Sequence, residues 1–189
     1  MSFHLRTHDL AEETTLHGVF LEVSGIGLLL SGDAGIGKSE LALELVSRGH
    51  RLIADDAPLL TKTSPNMISG TCSSLLQDFL EVRGLGILNI RAMFGDSAMQ
   101  LKKKLDLLVQ LIPHDKVTTQ DNERLEGMIS NQDVLGIPIS KITLPIATGR
   151  NLAVLVEAAA LDHQLRIKGY NAALELQSRL EQSLKTSAE

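Results

Sequence analysis

The chain of 189 residues has a hydrophobic fraction of 43%, a net charge of -5, one tyrosine, four phenylalanines and no tryptophan. An acidic chain this poor in aromatic residues excludes nucleic acid and anionic membrane as main partners, because both need a cationic face and single strands need stacking platforms. Its size fits one domain with extra helices at the end, and the single cysteine, Cys72, excludes a disulfide framework or a cysteine-based zinc site.

Met1 to Thr15 reads as a leader, irregular or strand-containing. Its charged residues leave no room for a signal-peptide apolar region, and no apolar run nears the ~20 residues that span a bilayer, so a cytoplasmic location is expected. Val19 to Val23 and Gly27 to Leu30 predict a hairpin-like pair of strands joined by Ser24-Gly25-Ile26.

Gly32-Asp33-Ala34-Gly35-Ile36-Gly37-Lys38-Ser39 follows, and it fits the pattern G-x-x-x-x-G-K-[ST]. Glycines there let successive N–H groups turn inward and form an anion-binding nest at a helix N-terminus. Lys38 adds a mobile charge for the β- and γ-phosphates, and Ser39 offers a hydroxyl to Mg²⁺. A chance match in a chain this long arises about one time in a hundred. The apolar run before the octapeptide and the helix formers after it supply strand–loop–helix context, so nucleotide binding is the first functional expectation.

That helix should stop near Arg48-Gly49. Arg51 to Ala54 predicts a short strand carrying Asp55-Asp56 to its C-terminal end, where ligands gather in open α/β sheets. Two adjacent carboxylates in an extended segment point to opposite faces, so one can serve chemistry while the other holds backbone or a nearby cation. Glu81-Val82-Arg83-Gly84-Leu85-Gly86 sets a charged pair beside two glycines, ahead of a strand over Ile87 to Ile90. Lys102 to Lys104 reads as a solvated face, and Leu105 to Leu111 as a buried strand. Pro113 to Gln132, with Arg124 in it, is the expected mobile loop. Leu144 to Ile146 predicts the last strand. Asn151 to Lys168 is a helix with Asn151 as N-cap, and a second helix, Asn171 to Leu184, carries Ala173, Leu176, Leu180 and Leu184 on one stripe. Arg150 stands where a guanidinium and a helix N-terminus would act together on an anion.

Taken together, these residues resemble the C-terminal kinase domain of the HPr kinase/phosphorylase family. The resemblance runs from His17-Gly18 through the octapeptide and Arg48 to Asp56. It continues with Leu80 to Asn89 and Phe94-Gly95, and ends with Leu144 to Ala153 and Glu157-Ala158-Ala159. The Glu-Val-Arg-Gly-Leu-Gly-Ile block is far more specific than the phosphate loop. What it implies is an α/β phosphate-loop core similar to phosphoenolpyruvate carboxykinase, with C-terminal helices. It also implies a leader over 1–16, a catalytic domain over 17–184 and a frayed tail over 185–189. The implied activity is transfer from ATP to a serine of HPr, the phosphocarrier of the sugar phosphotransferase system. A reverse reaction would use inorganic phosphate to remove that phosphoryl group, and the assembly would be a homo-oligomer, with a hexamer as first expectation. His17 and Arg124 then fall where the family has active-site residues.

The expected division of labour follows. Gly32 to Ser39 holds the triphosphate, Ser39 and Glu81 hold Mg²⁺, Asp55 accepts the serine proton, and Arg124 with Lys38 balances charge on the transferred group. His17 is a polar neighbour, and Arg150 serves phosphorolysis. The chain departs from the family pattern at Ala34, at Ala147-Thr148, and in an expected lack of the N-terminal domain that many members carry. A kinase for a small molecule, such as a free amino acid, and a non-catalytic nucleotide-binding regulatory module remain as alternatives.

Overall fold

In a computed structural model, residues 12–116, 128–147 and 149–186 are described. Six strands form the main sheet, in the order β11-β12-β10-β3-β2-β4. They are β2 (Val19–Val23), β3 (Ile26–Gly32), β4 (Arg51–Ala54), β10 (Leu107–Pro113), β11 (Ile129–Val134) and β12 (Ile137–Ile146). Strand β10 runs parallel to both β3 and β12, whereas β2 runs antiparallel to both β3 and β4. A smaller sheet has the order β1-β5-β6-β9, from Glu13–Thr15, Leu59–Ser64, Met67–Thr71 and Lys102–Lys104. A separate hairpin pairs β7 (Phe79–Val82) with β8 (Gly86–Asn89).

Alternation of side chains along buried strands divides the core into two. Val19, Leu21, Val23, Leu28 and Leu30 face one side of the main sheet, where they meet Leu41, Ala42, Leu45 and Val46 of α1 (Lys38–Ser47) and Ala153, Val156 and Ala160 of α3 (Leu152–Ile167). Phe20, Leu29, Ile53 and Leu108 face the other side and meet Leu60 and Ile68 of the smaller sheet. The architecture is therefore a mixed α/β sandwich, helices on one face and a second sheet on the other.

The helices begin and end where their sequence signals lie. The Asn151 side chain caps α3 by accepting from Val154 N–H at 3.1 Å, and Gly169 follows its C-terminal end at φ 88°. The C-terminal end of α1 is clamped to α3: Glu157 accepts from Arg48 Nε at 2.8 Å and Nη2 at 2.6 Å, and pairs with His50 Nε2 at 2.9 Å. Hydrogen bonds from Arg48 lead the forces that pull the Glu157 carboxyl down to about 2, against some desolvation and with help from His50. Helix α4 (Ala172–Thr186) buries none of its residues, so its leucine stripe stays exposed.

Four expectations need revising. Lys102–Lys104 is an edge strand in which Lys102 and Lys104 are exposed as expected, but Lys103 turns inward and bonds the nearly buried Glu22 at 2.8 Å, and Lys104 bonds Asp106 at 2.8 Å. Ile90 opens the short helix α2 (Ile90–Phe94), capped by Asn89, instead of ending a strand. The last strand begins at Ile137, well before Leu144. Within the expected loop, Pro113 closes β10 and Ile129 to Gln132 belong to β11, an edge strand held by β12; Arg124 lies outside the described residues.

Candidate active site

Because β2 opposes both of its neighbours, β3 and β4 point the same way although they do not touch. The C-terminal ends of β3 and β4 and the start of β2 therefore share one end of the sheet. That end carries the phosphate-loop octapeptide after β3, Asp55-Asp56 after β4 and His17-Gly18 before β2. All three line one cavity of about 430 Å³.

The loop takes the shape its glycines permit. Gly35 and Gly37 sit at φ 75° and 100°, values that side chains with a Cβ rarely adopt. Gly37 N-caps α1, so the helix N-terminus opens into the cavity beside Lys38, Ser39 and Glu40. Lys38 is nearly buried, and its ammonium donates to the carbonyls of Gly32 at 2.9 Å and Asp33 at 3.1 Å. Two of its three donors therefore brace the loop.

Opposite stands a fixed carboxylate. Asp55 Oδ1 accepts from Asp56 N–H at 2.9 Å and Oδ2 from Glu81 N–H at 2.8 Å. Burial raises the Asp55 carboxyl, and the charges of Asp56 and Glu81 raise it further. The two N–H donors oppose this without cancelling it. Asp56 turns away at φ 66° and pairs with His17 Nδ1 at 2.7 Å, while its carbonyl accepts from Gly18 N–H at 2.8 Å. The two acids thus diverge, as expected, but through a left-handed turn at Asp56 rather than an extended backbone.

Glu81 reaches the cavity from the β7–β8 hairpin. Leu80 and Val82 are buried, so the same alternation turns Glu81 outward to the cavity, and Arg83, first residue of the turn after β7, lines it too. The hairpin is braced behind by Arg91, which bonds Asp78 at 2.8 and 2.9 Å and also pairs with Asp96.

The structure thus brings together His17, Lys38, Ser39, Asp55, Glu81 and the loop residues Ala34, Gly35 and Gly37. Gly32, Asp33 and Ile36 complete the loop's backbone. Arg150 stands apart from that group. It lines a neighbouring recess of about 540 Å³ with Glu40, Glu44 and Asn151, and donates to the Pro145 carbonyl at 3.2 Å. Gly37 and Glu40 border both spaces. Asp56, expected to hold backbone or a nearby cation, also lines the cavity, as do two charged residues with no expected role, Glu40 and Arg83. For Arg83 the available signal was its place at the mouth of a glycine-bearing turn, directly before Gly84.

Chemically, the cavity offers backbone and lysine donors for phosphate. It also has two hard oxygen donors, Ser39 and Glu81, of the kind Mg²⁺ takes alongside phosphate oxygens, and a carboxylate with raised proton affinity. The profile of the HPr Serine kinase C-terminal domain family matches residues 8–180. The chain belongs to that family. Its similarity to the HPr kinase/phosphorylase of Xanthomonas campestris pv. campestris is 55% identity over 174 residues, covering 92% of this chain and 55% of that protein. The HPr kinase/phosphorylase of Xanthomonas oryzae pv. oryzae gives the same figures. The chain spans about half the length of these relatives. Among solved structures, the Hpr(Ser) kinase/phosphatase from Coxiella burnetii superposes with a TM-score of 0.78 at 34% identity, covering 86% of this chain and 98% of that one.

Membership in a kinase family accounts for the nucleotide loop. In structural terms, the segments of the family resemblance divide in two. His17-Gly18, Ala34, Gly35, Gly37 to Glu40, Asp55-Asp56, Glu81 and Arg83 line the cavity, whereas Arg48, His50 and Glu157 form the clamp that fixes α1 against α3. Among the described residues, no helix is long and apolar enough to cross a membrane.

Proposed function

We propose that this chain transfers the γ-phosphoryl group of ATP to a serine hydroxyl of HPr, in the cytoplasm, and also runs phosphate-dependent removal of that group. One observation carries the reading: a phosphate loop and a backbone-fixed carboxylate of raised proton affinity share a single cavity. A binding module needs the first and has no use for the second.

In this reading the loop N–H groups and Lys38 orient the triphosphate. Ser39 and Glu81 would hold Mg²⁺, which would neutralise charge on the phosphates. Asp55, its carboxylate plane set by the Asp56 and Glu81 N–H groups, receives the serine proton as the new P–O bond forms, and ADP leaves. A carboxylate suffices because the loose transition state demands proton removal late. His17 holds Asp56 away from that proton path. In reverse, inorganic phosphate attacks phosphoserine and Asp55 returns the proton to the serine oxygen, giving pyrophosphate.

The test is incubation of the protein with labelled ATP and HPr from the same source. Label on an HPr serine is expected, and Asp55→Asn should abolish it while nucleotide affinity stays within about threefold. Wild-type turnover in Asp55→Asn would remove the base assignment. Label on a metabolite instead of HPr would replace the acceptor.

A further inference from the structure

We propose that Arg83 reads the outermost phosphoryl group held by the loop, acting as a second cation that distinguishes triphosphate from diphosphate. The proposal rests on the nucleotide-binding part of the function above. Its first support is position. A Cβ built on Gly35 would stand 3.1 Å from Arg83 Nη1 and 4.0 Å from Cζ, so the guanidinium lies directly over the phosphate loop. Gly35 therefore serves two purposes, its φ of 75° and the room it leaves for that guanidinium.

A second support is partnership. Arg48, Arg51, Arg91, Arg166 and Arg179 each pair with a carboxylate, and Arg150 donates to a carbonyl. Among the described arginines, Arg83 alone has neither. Glu81, two residues back near the end of β7, lines the same cavity without pairing with it. An exposed carboxylate and guanidinium this close in sequence, left apart across a cavity, are each free to meet a ligand.

Charge supplies the third. Glu40, Asp55, Asp56 and Glu81 all border the cavity, and a triphosphate adds further negative charge. Lys38 spends two of its three donors on Gly32 and Asp33, which leaves one for phosphate. A planar, five-donor guanidinium suits the remaining oxygens, and it stays charged at any working pH.

The test compares ATP and ADP affinities, with Mg²⁺ present, by titration calorimetry on wild type, Arg83→Ala and Arg83→Lys. Because Arg83 is exposed and unpaired, thermal melts of all three should coincide. Loss of one charge-assisted contact predicts ATP affinity down roughly 10- to 100-fold in Arg83→Ala, with ADP changed less than about threefold and Arg83→Lys between. Equal loss for ATP and ADP, or no loss for either, overturns the assignment. Wild-type protein that binds ATP but leaves HPr unlabelled would refute the acceptor and leave this comparison standing.

Discussion

Replacing Glu157 with glutamine keeps the shape of the clamp between α1 and α3 and removes its charge. Glu157 accepts three close hydrogen bonds, two from Arg48 and one from His50, and its side chain is 21% exposed. A fall in its carboxyl from an ordinary ~4.3 to about 2 corresponds to ~3 kcal/mol of preference for the charged form. Partial exposure screens this, so the expected loss is ~1–2 kcal/mol at pH 7. For a chain of this size that amounts to roughly 2–8 °C in Tm. The sign with pH follows from linkage. A carboxyl depressed by folding contributes its full stability above ~4.3 and loses it as pH falls toward about 2. Paired melts of wild type and Glu157→Gln, followed by circular dichroism at pH 7, 5 and 3, should therefore show a gap that is widest at pH 7 and shrinks at pH 3. Coincident melts at pH 7, or a gap that widens with acid, would refute the reasoning.

Other outcomes follow from the cavity. The raised Asp55 carboxyl must be ionised to take a proton, so kinase activity should fall as pH drops, with the acid limb of kcat above the ordinary ~3.9; a limb at or below that value contradicts the assignment. Glu81→Gln should raise the Mg²⁺ concentration for half-maximal activity by roughly tenfold while the melting temperature holds, since Glu81 is exposed; an unchanged Mg²⁺ requirement would take Glu81 out of the metal site. Arg150→Ala should weaken phosphate-dependent dephosphorylation roughly 10- to 100-fold and kinase activity far less, because its recess adjoins the phosphate-loop cavity instead of forming it. Equal loss of both activities would end that division of labour.

Legibility in the sequence tracked the range of the interaction. The phosphate loop, the strand ending at Ala54 and the Asn151 cap are local signals, complete within a few residues, and the structure has all three where they were expected. Strand β11 carried no such signal. Ile129-Ser130-Asn131-Gln132-Asp133 is mostly exposed at the sheet edge, so no apolar alternation marks it, and only its pairing with β12 makes it a strand. Lys103 looked like part of a charge run because its partner, Glu22 of β2, is far away in the sequence and meets it only in the fold, whereas Lys104 pairs with Asp106 two residues on. The bond between Asp55 and the Glu81 backbone, on which the geometry of the cavity depends, joins two segments that nothing in the sequence ties together.

That same bond makes the proposed base, Asp55, visible to spectroscopy. Its donor is a backbone amide, and its acceptor is the oxygen whose protonation matters. When Asp55 takes a proton, the acceptor loses its charge and the amide proton of Glu81 is deshielded less. The Glu81 resonance in a nitrogen–proton correlation spectrum should then move along the titration curve of Asp55. A nucleotide that perturbs the carboxylate should shift that curve. The proton inventory of the site is readable from one peak, with no substrate turnover required.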